Sequence, residues 1–304
     1  MNSAEFVALS FTPLLIACLA AVACALPGNF LILRRQALIG DAISHVVLPG
    51  IVAAFLIAGS VSAAAMMLGA AGAAIVSVVL IEGIRRFGRI EPGAAMGVVF
   101  TAMFAAGVLL LEISDTSGVH LDVEHALYGN LESLVWLDAI GWQSLLDPSA
   151  LVGLPVELFR ILVVVAVIAL LLAVFWRPLA ISTFDEGFAA TLGLPVAAIS
   201  LGLVFVSALA AVAAFDAVGS IIVIAMFICP PAAARLMTNQ LGRQIAWSVV
   251  FALLSAILGF VLAGYGPLWF GASNAVSAAG MIATVSGVIL AACALWGPER
   301  LPLR

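Results

Sequence analysis

Apolar residues run along this chain in blocks of about twenty, the length a helix needs to cross a bilayer core. The blocks fall at 12–33, 36–58, 60–82, 93–112, 156–176, 195–214, 217–237, 243–264 and 272–296. They predict an all-α, polytopic membrane protein with nine transmembrane helices, or eight if one block is re-entrant or interfacial. Residues 1–304 are expected to form a single transmembrane domain, with a long loop at about 113–155 and a polar connection at about 180–193. Small residues recur late in the chain, Gly259 with Gly264 and Gly280 with Gly287, and allow close helix approach.

Composition agrees with the pattern. The chain is 65% hydrophobic and 9% charged, where a soluble domain carries about 25% charged residues. All 11 basic residues are arginine. A P-loop uses its lysine to reach the β- and γ-phosphates, so no ordinary P-loop is encoded. If transport is ATP-driven, another polypeptide hydrolyses the ATP.

The arginines also set the expected orientation. With the N-terminus outside and the C-terminus cytoplasmic, only Arg160 stands on the outer side, as the positive-inside rule asks. The outer loop then holds Asp115, Asp122, Glu124, Glu132, Asp138 and Asp147 and no arginine. It is either an acidic mouth that gathers cations or a solvated loop from which arginine is excluded. The N-terminal block reads as an uncleaved span, because Glu5 precedes it and the arginines follow it. Cys18, Cys24, Cys229 and Cys293 all fall within predicted spans without CxxC spacing, so neither a disulfide framework nor a thiolate metal site is expected.

Within the second block, Gly40-Asp41-Ala42-Ile43-Ser44-His45-Val46-Val47-Leu48-Pro49-Gly50 carries the chemistry. In a helix, Asp41 and His45 share a face with Cβ atoms about 5–6 Å apart, within reach of one divalent cation. Ionisable groups inside a span are costly and mark ion or substrate paths. The other reading is an Asp–His hydrogen bond that pins a helix end. Ser44 either supports the pair by a hydrogen bond or satisfies a backbone carbonyl. Pro49 and Gly50 bend or break the span, as a gating hinge or a static kink.

Asp216, followed by Gly219, interrupts another apolar run. It is either a path-lining carboxylate or a cap at the start of the next span. His120 and His125 flank Asp122 and Glu124 in the outer loop, as a metal-capture cluster or as ordinary exposed histidines. Ser182-Thr183-Phe184-Asp185-Glu186 reads as a helix start, with capping donors and first-turn carboxylates.

The Gly40–Gly50 segment resembles the ABC-3 family, the permease subunits of bacterial zinc, manganese and iron ABC importers. The likeness continues through Ala94–Phe100, Leu127–Leu131, Ser182–Ala189 with Leu192-Gly193, and Ala217–Arg235, and covers roughly residues 12–295. Cys229-Pro230-Pro231 departs from the expected aliphatic residue, proline and alanine. The resemblance implies a type II-importer-like permease in the bacterial cytoplasmic (inner) membrane, with Asp41 and His45 as metal ligands near a dimer axis.

It also implies that Phe184, Asp185, Glu186, Phe188 and Gly193 belong to a coupling helix gripped by the ATPase. The implied partners are cytoplasmic ATPase subunits, a second permease copy in a homo- or heterodimer, and an extracytoplasmic metal-binding protein; no nucleic acid is expected. The cargo is Mn2+ or Zn2+, with Fe2+ compatible. No cofactor is bound permanently, and ATP is used by the partner. The rivals are a secondary proton-coupled divalent metal transporter, lacking any ATPase, and an intramembrane aspartyl protease built on Asp41 and Asp216.

Overall fold

The computed structural model describes residues 3–58, 63–88, 90–113, 129, 131–269, 271 and 276–299. The side chains of Ser44, His45 and Asp216, and the whole of His120 and His125, lie outside the described residues. The principal helices are α1 (Thr12–Leu33), α2 (Leu38–Ala58), α3 (Ala63–Gly88), α4 (Pro92–Ile113), α5 (Val156–Val174), α6 (Trp176–Phe184), α7 (Glu186–Thr191), α8 (Val196–Met237), α9 (Leu241–Trp269) and α10 (Ala278–Trp296). Among the described residues, 8 stretches are long and apolar enough to span a membrane. The 21-residue α2 is the remaining long helix.

The 42-residue α8 is two spans, not one. A straight helix of that length would run about 63 Å, twice the bilayer core. At Gly219 the backbone leaves the helical region (φ 75°, ψ 172°), a conformation open to glycine because it lacks Cβ. The halves then fold back. Ser200 meets Arg34 at 2.7 Å, while the carbonyl of Phe227 and the ring of Pro231 lie against Gly28. Gly28 and Arg34 are about 9 Å apart along α1, whereas residues 200 and 227 would stand about 40 Å apart on a straight rod. The two predicted blocks at 195–214 and 217–237 are therefore a helical hairpin with its apex around Asp216–Gly219.

The two ends of the bundle differ in chemistry. At one end, residues 131–155 form a packed cap. The fully buried Trp136 donates from Nε1 to the Ala150 carbonyl (2.8 Å), and its backbone N–H donates to the Ala8 carbonyl (2.8 Å). Glu132 accepts from the N–H of Ala278 (3.0 Å), capping α10, and Gly129 lies against Val218 and Gly219 at the hairpin apex. Asp147 caps a short helix through Ser149, whose hydroxyl and N–H hold its carboxyl below the usual carboxylate range. Two acids of the predicted loop thus act as caps while remaining exposed. The other end gathers Arg34, Arg35, Arg85, Arg177, Arg235 and Arg243, and the Glu299 N–H returns there to the Leu236 carbonyl (3.1 Å).

Of the late small residues, only Gly259 makes a close approach, against Ile282 of α10. Gly264, Gly280 and Gly287 have open space where a side chain would go. A recurring small residue permits close packing without requiring it.

Candidate metal path and coupling segment

Asp41 stands in the first turn of α2 and is half-buried. Backbone hydrogen bonds tie down the turn leading to it: Arg34 N–H donates to the Phe30 carbonyl (3.0 Å), Gln36 N–H to Leu31 (2.8 Å) and Ile39 N–H to Gln36 (3.0 Å). Arg35 takes the left-handed conformation (φ 58°), which is uncommon for a side-chain-bearing residue and reverses the chain. The helix runs unbroken from Asp41 past His45, so the two positions lie one turn apart on a face, as the spacing predicts.

Close contacts hold α2 on several sides. A methyl group at Gly40 would stand 2.6 Å from the Phe227 ring of α8; Gly50 and Gly69 abut backbone to backbone; and Pro49 lies against Gly107 of α4. Pro49 and Gly50 leave α2 continuous, and their visible work is close packing.

Asp216 occupies the α8 hairpin apex, at the capped end. Gly40 reaches α8 at Phe227, so Asp41 and Asp216 are separated by two helical turns or more, roughly 11–16 Å. A protease dyad needs its carboxyls a few ångströms apart, and that separation rules the pair out. Two successive stations along one path remain compatible with it.

At the basic end, α6 and α7 form a short exposed elbow. Asp185 caps α7, accepting from the Phe188 N–H at 2.8 Å. The expected helix start is thus displaced: Ser182 and Thr183 belong to the end of α6, and their hydroxyls donate to the Leu179 carbonyl (3.2 and 2.7 Å). Gly193 (φ 77°) ends α7 in a Schellman motif, with Gly193 N–H donating to Ala190 and Leu194 N–H to Ala189. Phe184, Phe188 and Leu192 are 60%, 54% and 54% exposed. Three large apolar side chains are thus exposed on and beside the capped helix α7.

Sequence reasoning missed Arg34, whose guanidinium contacts Ser182, Thr183 and Ser200. Its only signal was position, the first basic residue after a span. A cavity of about 310 Å3 was missed too. It lies between Ile39 and Ala42 of α2, Ser77 and Glu82 of α3, and Glu186 of α7. Asp41 does not line it, being set about 100° or more round α2 from the lining positions. Among the described residues, no three His, Cys, Asp or Glu side chains converge.

Long apolar helices, a carboxylate and an imidazole position paired on one of them, and an exposed elbow at the basic end define a multi-pass membrane transport protein. The chain belongs to the ABC 3 transport family, which it matches over residues 8–145 and 149–294. It is 37% identical over 283 residues to the manganese transport system membrane protein MntD of Bacillus subtilis (strain 168), covering 93% of this chain and 90% of that one. It is also 37% identical over 286 residues to the zinc transport system membrane protein TroD of Treponema pallidum (strain Nichols), covering 94% and 73%. Among solved structures it is similar to "PsaBC from Streptococcus pneumoniae in complex with Fab", with a TM-score of 0.73, 27% identity and coverage of 95% and 92%. These relatives include membrane proteins of manganese and zinc transport systems, and they lend no support to a secondary proton-coupled transporter.

Proposed function

We propose that the chain is the permease subunit of an ATP-driven importer of a first-row divalent metal, Mn2+ or Zn2+, with Fe2+ compatible with the same donors. The observation that carries this is Asp41 and His45 one turn apart on α2, in a chain whose relatives are named for manganese and zinc transport. Oxygen and nitrogen donors suit these ions, and a pair without thiolate is ill-suited to copper(I).

In this reading the N-terminus faces outward and the C-terminus faces the cytoplasm across a bacterial inner membrane, which leaves the arginine-rich end inside. An extracytoplasmic binding protein delivers metal to the acidic end, where Asp216, His120 and His125 offer capture. The ion then passes between two permease copies and is held by Asp41 and His45, with Ser44 steadying the pair. Two cytoplasmic ATPase subunits hydrolyse ATP and grip Phe184, Asp185, Glu186, Phe188 and the Gly193 turn. The chain itself performs no bond chemistry. Because conduction requires release, metal affinity is modest in at least one state.

The test is elemental analysis of cells lacking their own metal importers, expressing the permease with its ATPase and binding protein under metal limitation. The wild type is expected to accumulate manganese or zinc, and Asp41→Ala to abolish this while the complex still assembles. Normal accumulation by Asp41→Ala would make Asp41 structural and move the search to Asp216.

A further inference from the structure

We propose that Arg34 is the positioning residue that ties the coupling elbow to the helix bearing Asp41; this rests on the function proposed above. Arg34 ends α1, and its guanidinium spreads over three hydroxyls on two separate helices. Nε donates to Thr183 Oγ1 (3.0 Å), Nη2 to Ser182 Oγ (2.8 Å) and Nη1 to Ser200 Oγ (2.7 Å). Ser182 and Thr183 lie where the chain enters the exposed 185–195 stretch, and Ser200 lies just after it leaves. One cation therefore pins both arms of the elbow at their base. The hydroxyls of Ser182 and Thr183 are themselves held on the Leu179 carbonyl, which leaves their lone pairs for the guanidinium. Glu186, in the first turn of α7, adds attraction to the same charge, against the burial that lowers the Arg34 pKa.

Two further observations make Arg34 a route from the elbow to the metal path. On one side, Arg34 continues directly into the short turn that starts α2, where Gln36 N–H donates to the Leu31 carbonyl and Ile39 N–H to Gln36, so displacement of Arg34 carries the start of α2 with it. On the other, Glu186 lines the same cavity of about 310 Å3 as Ile39 and Ala42, so α7 and the start of α2 border one cavity. A push delivered by an ATPase to Phe184, Phe188 and Leu192 thus has a route to the Asp41 helix through the Arg34 fork, beside the packing of α8 on α2. A guanidinium serves here better than an ammonium, because its planar fork holds its donors in fixed directions toward acceptors on two helices.

The experiment uses the complete complex of permease, ATPase and binding protein in proteoliposomes, reading ATP hydrolysis and metal uptake in the same vesicles. Arg34→Gln is expected to assemble, to hydrolyse ATP within about twofold of wild type and to import metal about tenfold less per ATP, the scale of a lost coupling contact. Arg34→Lys recovers part of the ratio, and Ser182→Ala with Thr183→Ala reproduces the loss from the acceptor side. An unchanged metal-to-ATP ratio in Arg34→Gln overturns the proposal. So does a parallel loss of hydrolysis and uptake, which would assign Arg34 to subunit docking. If Arg34→Gln fails to assemble, the Ser182→Ala/Thr183→Ala variant decides by the same ratio. A wild-type complex that hydrolyses no ATP or imports no metal counts against the permease reading itself, and is distinguished by that control.

Discussion

Gly40 shows how one missing side chain positions a site. Its neighbour Asp41 reaches its place only because α2 lies directly against the Phe227 ring, and a methyl group there would stand 2.6 Å from ring Cγ and 2.9 Å from Cβ. A χ1 change would move the ring but leave Cβ at 2.9 Å, so the backbone itself must shift. Overpacking of this kind costs about 1–3 kcal/mol. Gly40→Ala should therefore lower the thermal midpoint of the detergent-solubilised permease, and metal uptake with it. Gly97→Ala on α4, where open space receives the methyl, should leave both near wild type. Equal midpoints for the two variants would show that α2 is not held at this contact. The sequence displays both glycines alike. What separates them is a residue nearly two hundred positions away, which local periodicity does not report.

At the scale of the element, the six-residue α7 is too short to be stable on propensity alone, since helix nucleation is costly. Its order depends on its ends, the Asp185 cap and the Gly193 turn. The sequence pattern placed the capping donors over Ser182–Glu186 and so found the neighbourhood. It missed which residue caps, because Ser182 and Thr183 are engaged by Arg34, about 150 positions earlier. Losing an N-cap carboxylate costs about 1 kcal/mol. Asp185→Ala should therefore fray α7 and weaken ATPase association several-fold, whereas Asp185→Asn, which keeps the accepting oxygen, should stay near wild type. Binding of the isolated ATPase to permease in nanodiscs reads the difference directly. Equal affinities for Asp185→Ala and wild type would show that the partner does not depend on an ordered α7.

At the scale of the whole molecule, span count was legible because membrane thickness writes block length into the sequence. The arrangement of the spans was not, because helices that are apolar all round carry no stripe to say which face meets which neighbour. The α8 hairpin stands between these cases. The break at Asp216 and Gly219 is visible in the sequence, and the direction of the chain beyond it follows only from the meeting of residues 200 and 227 with neighbouring parts of α1. That reversal makes a prediction about sidedness. If α8 turns back at Gly219, the connections before and after it lie on the same side of the membrane, and the 131–155 cap lies on the other. Leu192→Cys and Asn239→Cys, one on each side of α8, should react with a membrane-impermeant maleimide only after the cells are permeabilised. Leu146→Cys, at an 89% exposed position of the cap, should react in spheroplasts without permeabilisation. Labelling of Leu192→Cys and Asn239→Cys from opposite sides would make α8 a single crossing and break the fold as described. Joint labelling of these two from outside, with Leu146→Cys protected, would keep the hairpin and invert the proposed orientation, placing the arginine-rich end and the coupling elbow where no cytoplasmic ATPase could reach them.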